Sequence, residues 1–215
     1  VMAAELVIVG VGGFGREVYG IVRAINESAD EPPWRVLGFV DDRPSEIDLK
    51  RVQQLGVPFL GTVHRLADQP SGTRVVIGVG APAARRDIDA RVQAHRLAAA
   101  TLVHPAAEIG PDCVFQEGLV AAGGARVTTN VRLGRHVHLN LNATVGHDCV
   151  LGDFVTVNPL AAVSGSCQIG SAVMIGTTAA VLQGLTVGRN STVGAGACVV
   201  RDVPDGVVVK GVPAR

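Results

Sequence analysis

A chain of 215 residues has room for one large domain or two small ones. Its 19 Lys and Arg against 19 Asp and Glu leave no net charge, which excludes the basic footprint of a nucleic-acid or anionic-membrane binder. Apolar residues make up 47% yet aromatics only 3%, so any core is built from Val, Leu, Ile and Ala, and 27 glycines point to a turn-rich fold.

Near the N-terminus the apolar run LVIVGVGG is too short to span a bilayer. It also lacks the basic flank and cleavage pattern of a signal peptide, so a soluble, cytoplasmic protein is expected. ELVIVG (5–10) reads as a buried strand, and GGFGREVYGIVRAI as a glycine turn opening a helix. RVLGFVDD (35–42) and TRVVIGVG (73–80) read as further strands, and residues 81–100 as a long helix rich in good helix formers. Strands alternating with helices predict a small parallel α/β domain of Rossmann-like type over residues 1–102. Within it Gly10, Gly12 and Gly15 form GxGxxG between strand and helix, the pattern in which backbone amides meet phosphates. Asp41 and Asp42 follow at the carboxyl edge of the second strand, where such sheets bind ligands.

From Val103 onward a six-residue period takes over. Counting by six from Val103 to Val199, every position is Val, Ile or Leu except Phe115 and Ala121. A second column, four residues further along and running from Ala107 to Ala197, is small or aliphatic throughout. That period suits neither an α-helix nor an ordinary sheet. It predicts a parallel β-helix over residues 103–215, with three flat walls per coil of 18 residues and rungs about 4.8 Å apart. Cys113, Cys149 and Cys167 fall in the small-residue column, where a thiol packs as a small hydrophobe. The four cysteines form no CxxC pair and have no histidine at zinc-site spacing, so no metal is expected.

In the segment ATVGHDCVLGD, His147 and Asp148 follow the column residue Val145 and point out of the coil. An imidazole titrates near about 6.5, which suits it to accept a proton near neutral pH. Asp148 is placed to orient the ring and stabilise its cation. One coil further on, Gly165 is expected directly over His147, either as a plain corner glycine or as a backbone N–H donor to a developing oxyanion.

The repeats, coupled to GVGGFGREV and GFVDDRP, make the whole chain resemble the sialic acid O-acetyltransferase (NeuD/PglD-type) family of hexapeptide-repeat sugar acyltransferases. The resemblance implies a left-handed β-helix, a homotrimer with active sites between subunits, and acetyl-CoA as cosubstrate. VGHDCVLG matches the family's base segment, which implies that His147 is the general base and Asp148 its partner. It further implies a nucleotide-linked amino sugar held by Gly12, Gly13 and Phe14 near the diphosphate and by Asp41 and Asp42 near the base and ribose. The ending GVPAR resembles the family's tail near coenzyme A.

Two positions depart from the family pattern. Phe14 replaces a polar residue often found there, and Thr156 replaces a second histidine nine residues after the base. The Thr156 hydroxyl either contacts the acyl-CoA thioester or a water, or simply faces the surface. His64, His95, His104, His136 and His138 lie in no comparable motif and are expected to be structural or solvated. The expected activity is N-acetylation of a nucleotide-linked amino sugar, with a 4-amino-4,6-dideoxyhexose in first place. O-acetylation of sialic acid or another hydroxyl is the alternative. A zinc carbonic anhydrase on this fold would need histidines on neighbouring coils, but Thr129 and Gly165 flank His147 there.

Overall fold

The computed structural model describes residues 3–215. The chain divides into two compact units, one reaching to Gly80 and taking in Ala84–Leu102, the other Val103–Arg215 with Ala81–Ala83.

The first unit carries a parallel sheet of β1 (Ala4–Val9), β2 (Trp34–Val40), β3 (Phe59–Gly61), β4 (Arg74–Ile77) and β5 (Ala98–Ala99), in the order β3-β2-β1-β4-β5. Its helices are α1 (Gly13–Ser28), α2 (Glu46–Gln54) and α3 (Pro82–Ala94). Leu6, Val7, Ile8 and Val9 are all buried, as a central parallel strand requires, because both its faces are covered. α1 buries Val18, Ile21 and Val22, an i, i+3, i+4 stripe. Chain order reverses at β1, which has β2 on one side and β4 on the other. Such a switch point opens a crevice at the carboxyl ends of the strands.

The predicted strands are all present, but the helix expected over 81–100 ends at Ala94. His95 and Arg96 donate back to Val92 and Gln93, Arg96 turns to φ 57°, and Ala98–Ala99 pairs with β4. Edge pairing that buries Ala99 and Ala100 overrides the helix propensity of the alanine run. The short polar helix α2, capped by the Ser45 hydroxyl, and the strand β3 have no counterpart in the sequence reading.

The second unit is a parallel β-helix of two-residue strands. Among the described residues these form walls of six, five and seven strands. The first wall includes Thr144–Val145 and Ala162–Val163, the second Val150–Leu151 and Gln168–Ile169, and the third His138–Leu139 and Thr156–Val157. Residues 18 apart are register partners, as in Val145↔Val163 and Leu151↔Ile169. The step shortens only at the end, where Thr192 pairs with Val208. Both apolar columns point inward: Val145, Leu151 and Val157 pack with Ala143, Cys149 and Val155 in one continuous core.

Most corners contain one residue in the left-handed region. On the corner between the first and second walls these are Asp112, Asn130, Asp148, Ser166 and Gly184. The glycine that often follows the first column has a different cause. A Cβ at Gly110 would lie 1.7 Å from the Thr128 carbonyl oxygen, and one at Gly146 would lie 2.6 Å from the Gly165 nitrogen. Close stacking of the next rung, not backbone φ, demands glycine there. No helix among the described residues is long and apolar enough to cross a membrane.

Candidate active site

The corner from Gly146 to Cys149 is pinned on both sides by backbone. The Asp148 N–H donates to the Thr129 carbonyl one rung back, and the Ser166 N–H donates to the His147 carbonyl one rung on. His147 and Asp148 therefore project from a rigid ledge, with side chains 61% and 49% exposed. Asp148 sits at φ 61°, a conformation that Asp tolerates better than most residues. His147 Nδ1 lies 2.6 Å from Asp148 Oδ2. An ionised carboxylate only accepts, so Nδ1 carries the hydrogen and Nε2 is left as the basic nitrogen. The other carboxylate oxygen, Oδ1, accepts from Asn130 Nδ2 at 2.7 Å. Asn130's amide first, and the imidazole second, hold the Asp148 carboxyl below the usual carboxylate range.

Gly165 stands where the 18-residue coil puts it. A Cβ built there would lie 2.5 Å from His147 Nε2, so the imidazole edge rests over the Gly165 Cα. Thr156 is on the third wall, one corner beyond the second wall, between His138 and Met174 in the ladder. Its side chain is buried at 1% exposure, so the surface-facing reading is wrong. His136 and His138 are also buried rather than solvated, and His136 stacks on Phe154 with ring centroids 5.6 Å apart. Cys149 and Cys167 are fully buried, their thiols aimed at the carbonyls of Ser164 and Leu182, and burial pushes the Cys149 thiol up to about 11. They are packing residues. Among the described residues no group of His, Cys, Asp and Glu is arranged to hold a metal ion.

In the first unit a cleft of about 420 Å³ opens at the switch point of the sheet, lined by Gly10, Asp41, Asp42, Arg43 and Arg91 among others. The GxGxxG glycines divide their labour. Gly10 takes φ 102°, and a Cβ on Gly15 would strike the Gly10 carbonyl oxygen at 1.9 Å, so strand turn and helix meet in contact. Gly12 and Gly13 have open space beside their Cα atoms, which leaves room for a ligand. Gly12 is the N-cap of α1, and no side chain caps that end. Backbone N–H groups at such a terminus favour an anion. Gly12, Gly13 and Phe14 do not line the cleft that holds the aspartates.

Both aspartates already have backbone partners. Asp41 accepts from the N–H of Val11 at 3.0 Å and of Arg43 at 2.8 Å, which braces the glycine turn against the β2 exit. Asp42 accepts from the Val63 N–H at 3.0 Å and from Arg91 at 2.5 Å. The Arg91 guanidinium holds the Asp42 carboxyl below its ordinary range. Arg91 and Asn130 carry no motif of their own: Arg91 reaches Asp42 from 49 residues away, and Asn130 lies one coil before Asp148 without a signal for the contact of its amide.

A β-helix with a histidine–carboxylate corner, joined in one chain to an α/β sheet with a GxGxxG turn, is the build of an acyltransferase. Residues 5–92 match the family model described as the PglD N-terminal domain. A comparison with curated proteins finds no significant match. The acetyltransferase domain of PglB from Neisseria gonorrhoeae FA1090, solved in complex with acetyl coenzyme A, is 32% identical, with a TM-score of 0.87 over 100% of this chain and 99% of that one. A mutant of perosamine N-acetyltransferase from Caulobacter crescentus, in complex with CoA and GDP-perosamine, is 29% identical (TM-score 0.86, covering 100% and 97%). WeeI from Acinetobacter baumannii AYE is 26% identical (TM-score 0.85, 99% of each chain). The chain belongs to the PglB/PglD-type family of sugar acetyltransferases, and its coils form the left-handed β-helix of hexapeptide-repeat enzymes.

Proposed function

We propose that this enzyme transfers the acetyl group of acetyl-CoA to the amine of a nucleotide-linked amino sugar, with His147 as general base. The observation that carries the reading is the ordered corner itself: an Nε2 made available by the Nδ1–Asp148 contact and set over a glycine one rung away. The relatives support the substrate class, since their solved complexes contain acetyl coenzyme A, or CoA with GDP-perosamine. A 4-amino-4,6-dideoxyhexose is our first choice of sugar.

In this reaction the neutral amine attacks the thioester carbonyl carbon and its proton passes to His147 Nε2. Asp148 stabilises the imidazolium across the 2.6 Å contact. The Gly165 backbone N–H is assigned to the developing oxyanion. Collapse of the tetrahedral intermediate forms the amide, breaks the C–S bond and returns the proton to the departing thiolate. The nucleotide is assigned to the first unit. There the uncapped start of α1 at Gly12, Gly13 and Phe14 takes the diphosphate, and the cleft at Asp41 and Asp42 takes the base and ribose. Thr156, being buried, receives no contact with the acyl donor in this scheme.

We assign a homotrimeric assembly in the cytoplasm with active sites between subunits. Exposed apolar side chains on the β-helix, Leu141, Leu160, Leu182 and Val200 among them, support burial against a second copy. His147→Ala is the direct test. It should lower kcat by roughly 10² to 10⁴, the usual worth of a general base, with both KM values and the melting temperature near wild type. Turnover within threefold of wild type would remove His147 from the reaction.

A further inference from the structure

We propose that Asn130 is the positioning residue of the His147–Asp148 pair, locking the carboxylate from the rung below so that its other oxygen meets the imidazole. This rests on the reading of His147 as general base. Asn130 is one coil before Asp148, on the same corner, and both are left-handed, at φ 55° and 61°. Its backbone N–H is fixed to the Pro111 carbonyl at 3.1 Å, and its amide reaches Asp148 Oδ1 at 2.7 Å. The facing atom must be the NH₂, because the carboxylate opposite has nothing to donate.

The corner alone does not explain this choice of residue. Its left-handed position is filled in turn by Asp112, Asn130, Asp148, Ser166 and Gly184, so the backbone accepts an acid, an amide, a hydroxyl or no side chain. A donor suits the place beneath Asp148, whereas a carboxylate there would set two like charges one rung apart. Held at Oδ1 alone by solvent, an exposed Asp148 would rotate freely and leave Nδ1 for water. Held by Asn130, it keeps one oxygen for the imidazole, and the ring keeps its tautomer and its aim. Asn130 touches neither reactant in this scheme, and acts only through Asp148.

Asn130→Gly tests the proposal, because glycine accepts the left-handed backbone and removes only the amide. Asp112→Gly, the same change one rung further from the site, is the control for effects on the corner. Asn130→Gly should lower kcat about tenfold or more, the worth of one hydrogen bond to a charged group, with both KM values within twofold. Its melting temperature should match that of Asp112→Gly, which should keep wild-type turnover. In an Asp148→Ala background, Asn130→Gly should have no further effect, since nothing is left to position. Wild-type kcat in Asn130→Gly, or an equal loss with and without Asp148, overturns the proposal. If His147→Ala is inactive while Asn130→Gly is not, only this proposal falls; if His147→Ala keeps full turnover, the general-base reading falls with it.

Discussion

A methyl group added at Gly165 would stand 2.5 Å from His147 Nε2, inside any normal contact distance. The imidazole is an exposed side-chain end, so it would swing away at little cost to the fold. Gly165→Ala should therefore leave the melting temperature nearly unchanged while lowering kcat about a hundredfold, as misplacing a reacting group by about an ångström does. Kinetics and a thermal melt on the same preparation check both halves; unchanged kcat would mean that the space over Gly165 is not where transfer occurs. The pairing of His147 with Asp148 and the stacking of Gly165 against the imidazole were legible from VGHDCVLG and the 18-residue coil. The same coil places Asn130 one rung before Asp148, but not the contact of its amide with the carboxylate, which depends on the side-chain rotamers. The burial of Thr156 was not legible for a related reason: period six tells which wall a residue joins, but not how exposed that wall's outer face is.

At the scale of elements, the β-helix was the most legible part, since each two-residue strand repeats the same demand for one inward aliphatic and one small partner. The close packing of rungs that forces glycine at Gly146 and Gly110 is long-range and leaves only a preference in the sequence. The α/β unit was readable in its buried central strands and unreadable at its edges. There the alanine run after Ala94 joins β4 as a strand, and α2 is too short and polar to show a period. The exits of β1 and β2 are joined by Asp41 to Val11, and that of β2 to α3 by Asp42 to Arg91. Arg91→Ala should let the Asp42 carboxyl rise toward its ordinary range, read by NMR titration. With a lowered native pKa, the stability linked to Asp42 is in place above the ordinary carboxylate range and is lost as pH falls through the native value. The variant should thus lose less stability than wild type on acidification, and should raise KM for the nucleotide sugar with little change for acetyl-CoA. An Asp42 titration that ignores Arg91 would contradict this account of the cleft.

At the scale of the whole molecule, one chain joins a sheet with a crevice at its switch point to a β-helix with a histidine–carboxylate pair on its corner. The division of labour assigned to these units makes the first select the nucleotide and the second perform transfer. The measurement closest to that claim is a mass-shift assay. Wild type and His147→Ala are incubated with acetyl-CoA and a panel of nucleotide-linked amino sugars, with free sialic acid included as a hydroxyl acceptor. Wild type should add one acetyl group to the amine of a nucleotide-linked sugar, and His147→Ala should not. Acetylation of sialic acid alone, or equal product from the two enzymes, would contradict that claim.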